Sequence, residues 1–283
     1  MKVSVCCITY NQSKFIVQAI ESILSQNFNE DYELVIADDC STDGTREILQ
    51  SFKEKFPQKI KLILHERNIG VVKNFKSALD HCSGEYIAIC EGDDYWIDKN
   101  KLNKQLHILE SKPEYALSFH EAKLHFESGI NNDFPDINKN TPETTTIENM
   151  IQGNYIHTPT CFFRNWLLAA GGFPKEFENL QIGDWALHLC TLRYGKAHFL
   201  KEEMAAYRIS TNGTWSTKKW LLRVEYARYF LKCMRVFFKG QYLHEFNRSI
   251  GNYSRTLIKL YWKEKQVRKL LRGSVALFFD AMK

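Results

Sequence analysis

Tyr86-Ile87-Ala88-Ile89-Cys90-Glu91-Gly92-Asp93-Asp94 sets a five-residue, largely apolar run directly against three carboxylates. A run this short suits a strand buried on both faces, as in a parallel sheet. Its acidic end then falls at the carboxyl edge, where open α/β sheets bind ligands. Working back along the chain, the same pattern recurs twice. Val3 to Ile8 runs into Thr9-Tyr10-Asn11, and Leu34 to Ala37 runs into Asp38-Asp39. Ile60 to Leu64 supplies a further strand. Between these strands the apolar spacing becomes helical: Phe15, Ile16, Ala19, Ile20, Ile23 and Leu24 after Asn11 and Ser13 as caps; Ile48, Leu49 and Phe52 after Ser41 or Thr42; and Val71 to Leu79. Repeated βα units predict a Rossmann-like, mostly parallel sheet with helices on both faces.

Beyond residue 100 the pattern loosens. A helix is expected over Leu102 to Leu109 and a strand over Ala116 to Phe126. The polar stretch Ser128 to Thr146 reads as a surface loop or lid. Apolar periodicity returns from Trp166 and again from Asp184 to Leu192. From Trp220 onward the chain reads as helices dense in Lys, Arg, Tyr and Phe.

Composition narrows the classes. The 283 residues are 44% hydrophobic and 25% charged, enough for a sizeable core. No apolar stretch approaches the ~18 residues of a membrane span, and the opening residues carry no signal-peptide pattern. Eight cysteines without a Cys-x-x-Cys pair or zinc-like spacing suit reduced thiols in a cytoplasmic protein. The net charge of +5 conceals two zones: residues 217–283 hold 16 Lys/Arg against 4 Asp/Glu, a local +12, while the preceding body is at −7. The expected division is therefore 1–216, with halves at 1–100 and 101–216, and a basic, aromatic-rich helical tail at 217–283.

One Asp after a strand is commonly a turn or cap residue. Three acidic or polar tips on neighbouring strands are a different case, because clustered carboxylates repel one another unless a cation or donor-rich ligand joins them. Carboxylate oxygens with open positions suit Mg²⁺ or Mn²⁺ alongside a phosphate. No Gly-x-x-x-x-Gly-Lys-Ser/Thr loop and no Gly-x-Gly-x-x-Gly follows the first strand, so a bound nucleotide would not rest on a glycine cradle.

Several stretches, in order, resemble the family-two glycosyltransferases of GT-A fold. They are Val3 to Gln12, Ala37 to Thr45, Asn68 to Phe75, Gly84 to Trp96, Ile182 to Leu187, and Tyr207-Arg208 through Trp215-Ser216. The likeness spans about residues 1 to 216 and leaves the tail outside. It implies that Thr9, Tyr10, Asn11, Asp38 and Asp39 hold the base and ribose of a UDP-linked sugar, with Lys73 and Asp93 also at the nucleotide. It also implies a divalent metal on Glu91, Asp93 and Asp94, overlaying the family's Asp-x-Asp element with Glu in first position. Asp184 falls where the family keeps its catalytic base, although Gly183 stands where an acidic neighbour is usual. Asp184 could equally cap a helix, and the two roles can coexist. Ser210 stands where relatives often carry a His, which leaves Arg208 to bring positive charge to the phosphates.

The resemblance implies an inverting transfer of sugar from the donor to a hydroxyl of a glycan or lipid-linked acceptor, in surface polysaccharide assembly. A nucleotidyltransferase and a catalytically degenerate binding module are the rival readings. For the tail, two readings stand side by side: an interfacial helix on anionic lipid at the inner membrane face, or a subdomain packing its aromatics on the body. Nucleic acid is not an expected partner, since the body is acidic and carries no recognition motif.

Overall fold

The structure, a computed structural model, describes residues 1–128, 130, 137, 141–210, 213, 215 and 218–264. The chain runs β1 (Val3–Thr9), α1 (Ile16–Leu24), β2 (Tyr32–Asp38), α2 (Thr45–Lys55), β3 (Ile60–Leu64), α3 (Val71–Asp80), β4 (Tyr86–Ile89), β5 (Tyr95–Trp96), α4 (Lys101–Ser111) and β6 (Tyr115–Phe126). It continues through β7 (Thr144–Thr145), α5 (Ile147–Gln152), β8 (Phe162–Arg164), α6 (Leu167–Ala170), α7 (Gly183–Thr191), β9 (Lys196–Ile209), α8 (Trp220–Phe237) and α9 (Leu243–Lys263). Of the expected 128–146 loop, the described part includes β7 on the margin of β9; residues 129, 131–136 and 138–140 lie outside the description, as do 265–283 of the tail.

The strands form one sheet in the order β3-β2-β1-β4-β8-β6-β9-β5, with β7 also on β9. Its first half is parallel throughout: β1 pairs with β2 and β4, and β2 with β3. The second half mixes directions, since β8 runs antiparallel to β4 and β6 while β6 and β9 are parallel. Residues 3 to 9 of β1 are buried without exception, so alternate side chains feed two cores. Val5 and Cys7 pack with Ile16 and Ile20 of α1 and Leu102 and Leu106 of α4. Cys6 and Ile8 pack with Phe75 of α3, Leu187 of α7 and Phe230 of α8. Helices therefore cover both faces, as the βα pattern predicts.

The described part of the tail joins this second core. Trp185 of α7 stacks on Phe230 of α8 at 4.7 Å between ring centroids, and Phe246 and Ile250 of α9 are buried in the same cluster. Most aromatics of this described part thus behave as a packed subdomain, whereas Trp220, Tyr229 and Trp262 stay exposed.

The expected helix caps are not used. No side chain caps α1, which starts after Phe15, and α2 starts after Gly44 in a left-handed conformation, φ +95°. Asn11, Ser13 and Ser41 instead bond between the β1 and β2 tips: Thr42 N–H donates to Asn11 Oδ1 at 2.8 Å, Ser13 N–H to the Asp43 carboxylate at 3.0 Å, and Asn11 N–H to Ser41 Oγ at 2.8 Å. Two irregular tips lying side by side hold many unpaired backbone groups, and these polar side chains satisfy them across the gap.

One buried residue carries an energetic penalty. Lys101, with no exposed surface, donates from Nζ to Gln105 Oε1 at 2.7 Å and lies 4.2 Å above the Trp96 ring. Burial pulls its pKa down to about 7. The unfolded chain therefore binds the extra proton between about pH 7 and pH 10, and stability rises with pH across that window. Compared with Lys101→Met, the wild-type protein should gain stability by up to about 1.4 kcal/mol per pH unit there, read from urea midpoints. Parallel pH dependence in the two proteins would contradict this.

Candidate active site

Register brings the tips together. Thr9 pairs with Asp38 at the ends of β1 and β2, and beyond β4 the chain keeps following β1, with Gly92 N–H donating to Ile8 O at 2.9 Å. Glu91, Gly92, Asp93 and Asp94 thus form a turn beside Thr9. The turn passes so close that a Cβ on Gly92 would lie 2.5 Å from Gln12 Oε1 and 2.9 Å from Thr9 Oγ1. Only glycine fits.

The two β2 carboxylates are buried at the strand tip and held by donors of the chain itself. The Asp38 side chain has no exposed surface. It accepts from Ser41 N–H at 3.0 Å, from the Ser41 hydroxyl, and from Arg46 Nε at 2.8 Å. Asp39 is also buried and accepts from Ile69 N–H at 2.7 Å and Gly70 N–H at 3.0 Å. Buried carboxylates need such donors, so both residues shape the loops flanking the site. Thr9 is similarly engaged: its hydroxyl donates to Gln12 Oε1 at 2.8 Å. Tyr10 and Asn11 are exposed at the tip. Gln12, which the sequence reading passed over, links Thr9 to the Asp93 carboxylate.

The acidic turn holds together what the sequence expected of it. Glu91, Asp93 and Asp94 each place an oxygen within 4.8 Å of the others. Burial, then Asp93, then Asp184 push the Glu91 carboxyl up to about 8. Burial followed by Asp93 and Glu91 raises Asp94 well above the carboxylate range. Asp94 is 2% exposed; its Oδ1 accepts from Arg208 N–H at 2.8 Å, while its Oδ2 is buried without a partner. An orphaned oxygen among crowded carboxylates is the donor set that a hard divalent cation satisfies, so these residues fit Mg²⁺ or Mn²⁺.

Arg208 is placed differently from the expectation. Strand β5 pairs with the far end of β9, Tyr95 opposite Ala206, and this delivers Arg208 beneath the turn. Its guanidinium donates to Asp93 O at 2.7 Å and Gln18 Oε1 at 2.7 Å, between the rings of Phe15 and Tyr95 at 4.6 and 5.3 Å. Buried and engaged in this way, its charge acts on Asp93 and Asp94, lowering the cost of their ionisation. Ser210, two residues on, is buried. The sequence missed β9 as a strand and therefore missed Tyr207, whose phenol is pushed far up by burial and by Asp94, Glu91, Asp93 and Asp184 together.

That common influence places Asp184 at the same edge. It lies in the first turn of α7, two positions past the capping residue Ile182, so it is not the cap. Burial raises its carboxyl pKa, against the backbone N–H of Trp185 and the side chain of Asn154. Asn154 Nδ2 donates to Asp184 Oδ2 at 2.8 Å. A Cβ on Gly183 would point at Val72 and Phe75 of α3, 3.5 Å away, so an acid there would meet an apolar surface. Lys73 is exposed on that same first turn of α3. Of the predicted site residues, then, Glu91, Asp93 and Asp94 converge beside Thr9, Asp184 adds to the charge felt by Glu91, and Asp38, Asp39 and Arg208 are tied into the surrounding loops and strands.

Residues 4–165 match the family model described as glycosyl transferase family 2. An uncharacterised Mycobacterium tuberculosis protein, Rv1520, is 34% identical over 213 residues, covering 75% of this chain; the match spans only 60% of that relative's length. TuaG of Bacillus subtilis, whose name describes a teichuronic acid biosynthesis glycosyltransferase, is 31% identical over 77% of this chain and 82% of its own. Among solved structures, Staphylococcus aureus TarS 1–349 with UDP-GlcNAc superposes with a TM-score of 0.65 at 21% identity, covering 95% of this chain and 75% of that one. The Pyrobaculum calidifontis mannosyltransferase PcManGT, with GDP-Man and Mn²⁺, gives 0.63 at 20% identity over 98% and 80%. These two establish the architecture. With the matched segment covering over half its length and such relatives alongside, the chain belongs to glycosyltransferase family 2.

Proposed function

We propose that this family member is an inverting enzyme that moves a sugar from a UDP-linked donor to a hydroxyl of a glycan or lipid-linked acceptor, in surface polysaccharide assembly. The observation that carries the reading is the convergence of the acidic turn with Asp184. The names of TuaG and of TarS, a poly(ribitol-phosphate) β-N-acetylglucosaminyltransferase, support the polymer context and the UDP donor. Residues 1–216 are read as the catalytic unit and 217–283 as its appended helical region.

Glu91, Asp93 and Asp94 would hold Mg²⁺ or Mn²⁺, which when bound supplies Lewis-acid stabilisation to a departing diphosphate. Tyr10, Asn11 and the exposed Lys73 are the groups free to meet nucleotide or sugar, with Asp38 and Asp39 fixing the loops on which such contacts depend. Asp184 takes the proton from the acceptor hydroxyl as that oxygen attacks the anomeric carbon; a raised pKa makes it a stronger base while ionised. A single displacement inverts the anomeric centre.

The tail reading is narrower. Trp220, Tyr229, Val236 and Trp262 are exposed, as are Lys219, Lys239, Lys259 and Lys263. Amphipathic aromatics with lysines suit the headgroup region of anionic lipid, so these groups are assigned to the cytoplasmic membrane surface. No helix of the described residues is long and apolar enough to cross a membrane.

Three measurements test these assignments. In thermal-shift titrations, UDP-sugars with Mn²⁺ should stabilise the wild-type protein, by about 2.7 kcal/mol at 100 times Kd, and Asp94→Asn should lose the Mn²⁺-dependent increment. Indifference to both uridine compounds and Mn²⁺ would overturn the donor reading. Asp184→Asn should keep donor binding and lose turnover by at least about 10²-fold; unchanged UDP release would remove Asp184 as base. Co-sedimentation should favour phosphatidylglycerol over phosphatidylcholine vesicles and weaken in Trp220→Ala with Trp262→Ala, whereas equal binding to both lipids would refute the membrane face.

A further inference from the structure

We propose that Asn154 and His188 are positioning residues that fix the orientation of the Asp184 carboxylate. The inference rests on the reading of Asp184 as the base. Asp184 and His188 are four residues apart on α7, so both face the same side of the helix. Asn154, in the loop after α5, spans the two: Nδ2 donates to Asp184 Oδ2 at 2.8 Å, and Oδ1 lies 3.2 Å from His188 Nδ1. A third contact decides which way the carboxamide points. Ile156 N–H donates to Asn154 Oδ1 at 3.2 Å, and a backbone amide can only donate. Turning the carboxamide over would set N–H against N–H at Ile156 and oxygen against carboxylate at Asp184. The oxygen must therefore face Ile156 and His188, and the NH₂ must face the base.

His188 is then held to one tautomer. Its ring has no exposed surface, and burial pulls its pKa down to about 3, so it is neutral. Opposite an acceptor oxygen, Nδ1 must carry the proton, leaving Nε2 as the buried nitrogen without a partner. This is the less common tautomer of a free imidazole, and the chain maintains it at the cost of an unsatisfied acceptor. The arrangement engages Oδ2 of Asp184 with a neutral side-chain donor and, with the backbone N–H of Trp185, holds the carboxylate in one orientation. Geometry fixed in this way is a recognised source of rate, since a misplaced base loses proton transfer without losing substrate.

The test pairs kinetics with spectroscopy. UDP release from UDP-GlcNAc with Mn²⁺ should fall about 10-fold to 10²-fold in kcat for Asn154→Ala, with donor KM and melting temperature near wild type. His188→Leu should fall similarly, and His188→Asn, whose amide can donate from nearly the position of Nδ1, should recover most of the loss. In the full-length wild-type protein, ¹⁵N spectra at neutral pH should show His188 protonated on Nδ1. Wild-type kcat in Asn154→Ala, equal failure of His188→Asn and His188→Leu, or an Nε2–H tautomer would each overturn the inference. Should His188→Leu not fold, Asn154→Ala and the tautomer still decide. Asp184→Asn separates the two layers: if it turns over normally the base reading falls, whereas if it is dead and Asn154→Ala is normal only the positioning role falls.

Discussion

Three carboxyl groups within 4.8 Å of one another repel, and burial makes each ionised form more costly still. Holding them there is the constraint that much of the surrounding structure serves. Arg208 contributes twice, with its backbone N–H on Asp94 and its guanidinium on the carbonyl of Asp93. It comes from 114 residues further along the chain than Asp94, so the acidic turn exists as a site only when the two halves of the sheet have met. The pairing of β5 with β9 brings about that meeting. Gln12 braces the other side, and Gly92 permits the approach because nothing larger would fit.

The β2 tip illustrates how a polar motif can organise the loops around a site. Asp38 and Asp39 each satisfy two or more donors from neighbouring loops. A network of this kind is rigid because every buried oxygen has a designated partner. The exposed Tyr10, Asn11 and Lys73 sit on loops and a helix end that this network defines.

The parallel half of the fold was legible because each of its strands is a short apolar run with an abrupt polar end, and the period changes cleanly to helical in between. The acidic turn was legible for the same reason, since it stands at the edge of such a run, whereas Asp184 stood out only through the family resemblance. Beyond residue 100 that regularity stops. Strand β9 is long and half-exposed in its middle, with Glu202 and Glu203 outside, so its pattern resembles neither a buried strand nor a helix. The direction in which Arg208 points depends on Phe15, Gln18 and Tyr95, none adjacent in sequence. Asn154 and His188 carried no signal at all. An asparagine in a loop and a histidine in an apolar helix become informative only when the asparagine is found bridging the histidine to a carboxylate. The caps failed for a related reason: Asn11, Ser13 and Ser41 had the right chemistry but a better use across the gap.

The stacking of Trp185 on Phe230 has a mechanical implication. Trp185 follows Asp184 directly, and Phe230 belongs to the helix that also bears the exposed Tyr229 and Val236. Displacing α8 or α9 would therefore disturb the first turn of α7, since Trp185 meets Phe230 of one and Tyr253 of the other. The described part of the basic region is joined to the enzyme through a shared core and does not hang from it as a tether.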